Sequence, residues 1–348
     1  MGCSPLRLSR VEHRSTRILS ARSAAGYDPL RNPSRKTVRQ AMGIGDSRSE
    51  DQNPSEMIGL VGVGLLGQAL ASRFVTAGLP VIGWDVHPEA RQALAALGGD
   101  TAESAADALG CRRVVLCLPD DGIVASVLEE SGEALPSGAT VIDTTTGDPL
   151  RQAKTGARLA ARGIDYLDAT VGGSSRHVRE GIAVVMAGGD AKAFDACRDL
   201  FESFSSQAIH VGECGSGSKM KLVVNLVLGL NRAALAEGLA LARGFDLEPG
   251  LALQCLQAGP AWSRAMDDKG AKMIEGRFEP QARLSQHLKD VKLILEAGQE
   301  SGIRLPLSRL HRQVLEAVEA AGFGDDDNSA VIRAWGSPGN EPLIDGMC

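Results

Sequence analysis

Between Met57 and Asp85 the chain reads as strand, glycine-rich turn, helix and second strand, and no other stretch restricts its fold as much. Met57-Ile58-Gly59-Leu60-Val61-Gly62-Val63 is a short apolar run. Gly62, Gly64 and Gly67 then open a helix continuing to about Ala77, and Gly78-Leu79-Pro80 leads into Val81-Ile82-Gly83-Trp84. The Gly-x-Gly-x-x-Gly spacing gives each glycine a task. Gly62 allows the tight turn, Gly64 lets backbone approach a pyrophosphate, and Gly67 lets helix pack on strand, with Leu65 and Leu66 in the same turn. Asp85 ends the second strand about 20 residues beyond the glycines, where a carboxylate meets the adenosine ribose hydroxyls of NAD. The spacing alone is weak, but a strand before it, a helix after it and an acid at the end make it specific.

The alternation continues through helix 88–97, helix 102–109, strand 114–118, helix 121–131, strand 140–143, helix 148–162, strand 166–170, strand 182–187, helix 190–203 and strand 208–211. Repeated strand–helix units build an α/β Rossmann fold, a doubly wound and mostly parallel sheet. Such sheets bind ligands just beyond the C-termini of their strands. Leu118-Pro119-Asp120-Asp121 and the run Thr144 to Pro149, with Thr146 inside it, fall there. They serve equally well as helix caps. The segment Val171 to Gly181 is polar and glycine-rich and is expected to be a loop. Backbone N–H groups of Gly172, Gly173 and Ser174 can face an anion there, and Arg176 is a second anchor for a further anionic group. A plain connection is the alternative. His177, with no carboxylate partner visible in the sequence, is expected at the surface.

From Gly215 to Gly244 the chain predicts one long helix. After Lys221 it is apolar except for Asn225, Asn231, Arg232 and Glu237. Lys221 and Asn225 stand four apart and share a face. Either Lys221 reaches outward and Asn225 caps a neighbour, or a polar pair is held in apolar surroundings. Beyond Gly244 the pattern is helical throughout, and Lys289-Asp290, within the helix that runs to about Ala297, is either an exposed ion pair or a functional contact. The expected organisation is a disordered extension over 1–56, a dinucleotide-binding domain over 57–216, an all-helical domain for substrate and oligomerisation over 217–335, and a tail over 336–348.

With 43% apolar but only 3% aromatic residues, the core is expected to be aliphatic. The seven cysteines are scattered and never in Cys-x-x-Cys spacing, so neither a disulfide framework nor a metal site is indicated. Residues 1–56 hold ten basic and six acidic side chains, which leaves −10 for the rest of a chain of net charge −6. An acidic body argues against a nucleic-acid partner, whose phosphates require a basic footprint. No apolar run is expected to be long enough for a membrane span. A cytoplasmic location follows, or the mitochondrial matrix if residues 1–56 are a transit peptide. The other reading of that segment is an upstream extension, with Met57 as the start.

These blocks, in this order over about 57–335, resemble the β-hydroxyacid dehydrogenase family, and within it the 3-hydroxyisobutyrate dehydrogenases. Ile58 to Gly67 is similar to the family's dinucleotide block. Asp168 to Ser174 with Gly181 is similar to its substrate block, and Gly215-Ser216-Gly217 with Lys221 and Asn225 to its catalytic block. The resemblance implies that Lys221 is the catalytic lysine and that Asn225 orients the substrate. It also implies that Thr146 lies near the nicotinamide and Lys289 near the cofactor, and that the long helix supports a homodimer or homotetramer. The implied substrate is a small anionic hydroxy acid or semialdehyde, and the implied cofactor NAD. The chain departs from the family at Thr170, usually Pro, at Gly172-Gly173-Ser174, usually Ser-Gly-Gly, and at Arg176 and His177, the latter replacing a common Gly. Alternatives are a reductase for tartronate or succinic semialdehyde, an imine reductase, or a nicotinamide-binding sensor that lost the reaction. The presence of Lys221 disfavours the last two.

Overall fold

The structure is a computed structural model that describes residues 57–336 and 342–344. The extension expected over 1–56 and most of the tail lie outside the described residues.

Among the described residues eight strands form one sheet: β1 (Ile58–Val61), β2 (Val81–Trp84), β3 (Asp100–Thr101), β4 (Arg113–Leu116), β5 (Thr140–Asp143), β6 (Asp165–Gly172), β7 (Ala183–Gly188) and β8 (Ser205–Gly212). Their spatial order is β3-β2-β1-β4-β5-β6-β7-β8. Neighbours run parallel except β6 and β7. The four residues of β1 are all buried because helices cover both faces of a parallel sheet, and its register sets Ile58 beside Val81 on one side and Arg113 on the other. The chain winds outward from β1 through β2 and β3, then returns to β4. The crevice at the C-terminal ends of β1 and β4 is therefore the topological switch point, where such sheets hold their ligands.

The helices of this layer are α1 (Leu65–Thr76), α2 (Pro88–Leu97), α3 (Ala105–Leu109), α4 (Asp121–Ser131), α5 (Pro149–Ala160), α6 (Ser175–Glu180), α7 (Ala191–Ala196) and α8 (Arg198–Phe204). Three departures from the sequence reading matter. The expected helix 190–203 is broken at Cys197 into α7 and α8. The expected loop over 171–181 is shorter, because β6 runs on to Gly172 and residues 175–180 form α6. The core is not wholly aliphatic, since Phe74, Phe194, Phe201 and Phe204 make one aromatic cluster behind the sheet.

Helix α9 (Ser216–Gly244) then leaves the sheet and carries α10 (Pro249–Ala258), α11 (Arg264–Glu275), α12 (Leu284–Glu300), α13 (Pro306–Val318) and a 3-10 helix over Asn328–Trp335. Leu235, Leu239, Leu288, Val291, Leu315 and Val331 form the core of this part. The first turn of α9 lies directly on β6 and β7. A Cβ at Gly217 would sit 2.0 Å from Asp168 O and 2.7 Å from Met186 O, so only glycine fits. Contrary to expectation, α9 is long and apolar enough to cross a membrane by length and composition. In this fold its Lys221, Asn225, Arg232 and Leu235 are buried against its neighbours.

Candidate active site

The glycines of the first turn behave as the spacing requires. Gly62 has φ +94°, and a Cβ there would come within 2.2 Å of Cys117 O, so the turn presses against the end of β4. A Cβ on Gly67 would lie 2.1 Å from Gly62 O, which is the close packing of helix on turn. Gly64 is different: a Cβ added there meets nothing within 4 Å. Packing does not demand glycine at 64, whereas a pyrophosphate against the N-terminus of α1 does. Asp85 holds the other side of the crevice. Its carboxylate accepts from Val63 N at 2.7 Å and from His87 N at 2.9 Å. The residues therefore fit a dinucleotide.

The two loops beyond β4 and β5 are tied together. Leu118 N donates to Thr145 Oγ1 at 3.2 Å, and Thr144 Oγ1 donates to Leu116 O at 2.8 Å. Lys289 of α12 closes over them, donating to Pro119 O at 2.8 Å and Thr146 O at 3.2 Å. Of the two readings of Lys289-Asp290, the exposed ion pair is thus the one not formed. Adjacent helix positions point about 100° apart, and Asp290 turns inward, 8% exposed.

Asp290 faces the catalytic candidates. Its Oδ2 accepts from Asn225 Nδ2 at 2.9 Å, while its Oδ1 is buried without a partner. Burial pushes the Asp290 carboxyl up to about 6, against the pull of the Lys221 and Lys289 charges. Lys221 is 9% exposed and donates from Nζ to Val171 O at 2.7 Å. Burial lowers its pKa below the ordinary lysine value, and the Asp290 carboxylate opposes that shift. The helix that carries Lys221 is itself anchored by Asp168, whose two oxygens accept from Gly215 N at 2.9 Å and Ser218 N at 2.8 Å. Thr170, where the family usually has Pro, places its hydroxyl 3.0 Å from Gly217 O and 3.2 Å from Met186 O, adding a second tie to the same turn. Gly172 and Gly173 follow Val171 directly, so the turn read as anion-binding lies beside the Lys221 amine.

Arg176 and His177 differ from the sequence reading. Arg176 is engaged: Nη2 donates to Asp268 Oδ1 at 2.6 Å and Nη1 to Glu180 at 3.2 Å, so its charge is already matched by carboxylates. His177 is only 12% exposed and does have a carboxylate partner, Asp268 Oδ1 at 3.3 Å from Nε2. Burial opposes ionisation of Asp268, but the His177 hydrogen bond and the Arg176 and Arg264 charges hold its carboxyl below the usual range. Ser174 N donates to His177 Nδ1 at 3.1 Å, so one of the three N–H groups expected to face an anion is occupied. Sequence reasoning missed Asp268, and it named Asp290 only beside Lys289, without its Asn225 partner. Asp268 stands 91 positions from His177, and no local pattern marks it.

Two family descriptions match this chain: the NAD binding domain of 6-phosphogluconate dehydrogenase over residues 57–212, and NAD-binding of NADP-dependent 3-hydroxyisobutyrate dehydrogenase over 215–335. The chain is 31% identical over 283 residues to 2-(hydroxymethyl)glutarate dehydrogenase of Eubacterium barkeri, covering 80% of this chain and 94% of that one. It is 29% identical over 290 residues to 2-hydroxy-3-oxopropionate reductase of Escherichia coli K12, covering 82% and 99%. Among solved structures it is similar to 3-hydroxyisobutyrate dehydrogenase from Salmonella typhimurium, with a TM-score of 0.74 at 26% identity, covering 80% and 99%.

Proposed function

The chain belongs to the β-hydroxyacid dehydrogenase family of NAD(P)-dependent enzymes, and from that premise we propose that it interconverts a 3-hydroxyisobutyrate-like β-hydroxy acid and its semialdehyde, with Lys221 moving the proton. The observation that carries this reading is the buried Lys221 amine, held by Val171 O at the foot of the Gly172–Ser174 turn. A nicotinamide dinucleotide at Gly62, Gly64, Gly67 and Asp85 supplies the hydride acceptor or donor. The protein supplies position and proton transfer. With its pKa lowered by burial, Lys221 has a neutral fraction able to take the hydroxyl proton as the alcohol is oxidised. In the reverse direction the ammonium gives that proton to the oxygen of the aldehyde being reduced. The Asp290 carboxylate pulls the other way and favours the ammonium. Asn225 donates to Asp290, which fixes the plane of its amide one turn from Lys221.

The substrate class rests on shared chemistry. The names 2-(hydroxymethyl)glutarate, 2-hydroxy-3-oxopropionate and 3-hydroxyisobutyrate each describe a carboxylate whose β-carbon is an alcohol or an aldehyde. The reductive direction toward a related semialdehyde is the second reading, favoured by the Escherichia coli relative. Since Arg176 already meets two carboxylates, a single substrate carboxylate at the Gly172–Ser174 turn is sufficient recognition.

Lys221→Met keeps the apolar stem and removes the amine. Loss of a positioned acid–base group costs about 10²–10⁴ in rate, so kcat with 3-hydroxyisobutyrate should fall at least by the lower figure. The dissociation constant for NAD should stay within a few-fold, because the dinucleotide contacts lie at Gly62–Gly67 and Asp85. Near-normal turnover in this variant would remove Lys221 from the chemistry.

A further inference from the structure

Helix α6 has six residues, and its start is unusual. Ser174 is its N-cap, and the side chain that reaches back to Ser174 N is His177 rather than the Glu or Gln of an ordinary capping box. A backbone N–H can only donate, so His177 Nδ1 is the acceptor in that 3.1 Å contact, and a neutral ring then carries its proton on Nε2, which also lies 3.2 Å from Arg176 Nη2. Nε2 faces Asp268 Oδ1 at 3.3 Å. The same oxygen receives Arg176 Nη2 at 2.6 Å, and Arg264 Nε stands 3.7 Å from Oδ2. Capping α6 would require only the Ser174 contact. Asp268 comes from α11, in the helical part of the molecule, and at 14% exposure it is set against a loop that belongs to the sheet.

The turn it touches is the one next to the reacting atoms. Gly173 has φ +135°, and a Cβ there would lie 3.0 Å from His177 Cβ, so the turn is folded over the imidazole. Val171, two residues earlier, holds Lys221 Nζ. One rigid path thus runs from Asp268 through the imidazole to Ser174 N and Gly173.

We propose that His177, locked by Asp268, is a positioning residue that shapes the Gly172–Ser174 turn for a substrate carboxylate, and that selectivity for the carboxylate depends on this bridge between α11 and α6. The proposal rests on the reading above that this turn receives the carboxylate. A substrate enters a turn already fixed by the helical part, and loosening Asp268 weakens recognition at a distance from the substrate.

The test is the ratio of kcat/KM for 3-hydroxyisobutyrate to that for its methyl ester, measured with wild type, Asp268→Ala, Asp268→Asn and His177→Gln. The sign discriminates. Removing the Asp268 charge and freeing Arg176 would by electrostatics alone favour an anionic substrate, whereas loss of positioning lowers the ratio. Asp268→Ala should lower it about tenfold, the effect of one charge-assisted hydrogen bond. KM for the dinucleotide should remain within a few-fold. Asp268→Asn, whose amide oxygen still accepts from Nε2–H, should fall between wild type and Ala. His177→Gln offers both an acceptor for Ser174 N and a donor for Asp268, and should stay near the wild-type ratio. A ratio that rises or stays constant in Asp268→Ala overturns the proposal. If wild type itself does not distinguish acid from ester, the turn does not read a carboxylate and the reading beneath the proposal fails instead. Should Asp268→Ala not fold, a ratio in Asp268→Asn at or above that of wild type overturns the proposal equally.

Discussion

The Asp85 carboxylate, held by Val63 N and His87 N, faces the side of the crevice where a ribose would lie. It accepts hydrogen bonds from ribose hydroxyls but meets a 2′-phosphate with like charge. NAD should therefore be preferred over NADP by roughly 2–3 kcal/mol, on the order of 10²-fold in kcat/KM. No arginine follows at Val86 or His87, yet the first turns of α2 bring Arg91 back, its Nη1 donating to Asp85 O. Asp85→Ser removes the repulsion and leaves that guanidinium beside the crevice. The preference should then shrink by about tenfold or more, since 1.4 kcal/mol is a factor of ten. Equal efficiency with both dinucleotides in the wild-type protein would contradict this account.

Helix α9 shows what a single element must satisfy to place one amine. Its first turn presents N–H groups to Asp168, and a carboxylate at a helix N-terminus is favoured by both hydrogen bonding and the helix dipole. Asp168→Asn leaves one acceptor for two buried donors. We expect a loss of about 2–4 kcal/mol, read from urea unfolding, together with a lower kcat because Lys221 sits on the following turn. Unchanged stability would mean that the Gly217 packing alone seats the helix. How much of this was legible varied with the element. Strands β1, β2, β4 and β5 were visible because short apolar runs bounded by Gly, Pro or Asp have few alternatives, and α9 because its apolar stretch is long. Helix α6 was hidden, since six residues carry no periodicity and its capping side chain is a histidine. The two-residue β3 offers no pattern either. The glycine turn and Asp85 were legible from spacing, whereas spacing left the setting of Lys221 and Asn225 open and only the family resemblance gave them a role. Asp268 and the inward face of Asp290 arise only when distant helices pack, which no local spacing encodes.

Across the whole molecule, buried ionisable groups pull stability in opposite directions with pH. Burial raises Asp143 to about 6, although Thr145 and Tyr166 bond to its oxygens, and raises Asp290 to about 6. The folded state holds these protons more tightly than the unfolded chain. Their contribution is complete below the ordinary carboxylate value near 4 and is lost as pH rises through about 6. The buried imidazoles act in reverse. Burial lowers His311 to about 4 and His287 well below its ordinary value, and Arg232 adds to both shifts. Unfolding lets them bind protons, so their contribution is present above the ordinary histidine value near 6.5 and is lost as pH falls toward 4. Each of the two carboxyl shifts, about two units, corresponds to roughly 3 kcal/mol, and the imidazoles, shifted the opposite way, offset them between pH 4 and 6.5. Asp327 does not enter that window. Its carboxyl, opposed by burial but held at about 2 by Lys269, costs stability only as pH drops from about 4 toward 2. Wild-type stability should thus change little from pH 4.5 to 6.5. Asp143→Asn, whose amide can still serve Thr145 N with its oxygen and Tyr166 O with its N–H, removes one carboxyl from the balance. Its unfolding free energy should rise with pH across that interval, by about 2 kcal/mol. His311→Gln removes an imidazole and should make the free energy fall with pH by a similar amount. Urea titrations at half-unit pH steps measure both slopes, and two slopes of the same sign would show that these groups do not set the balance.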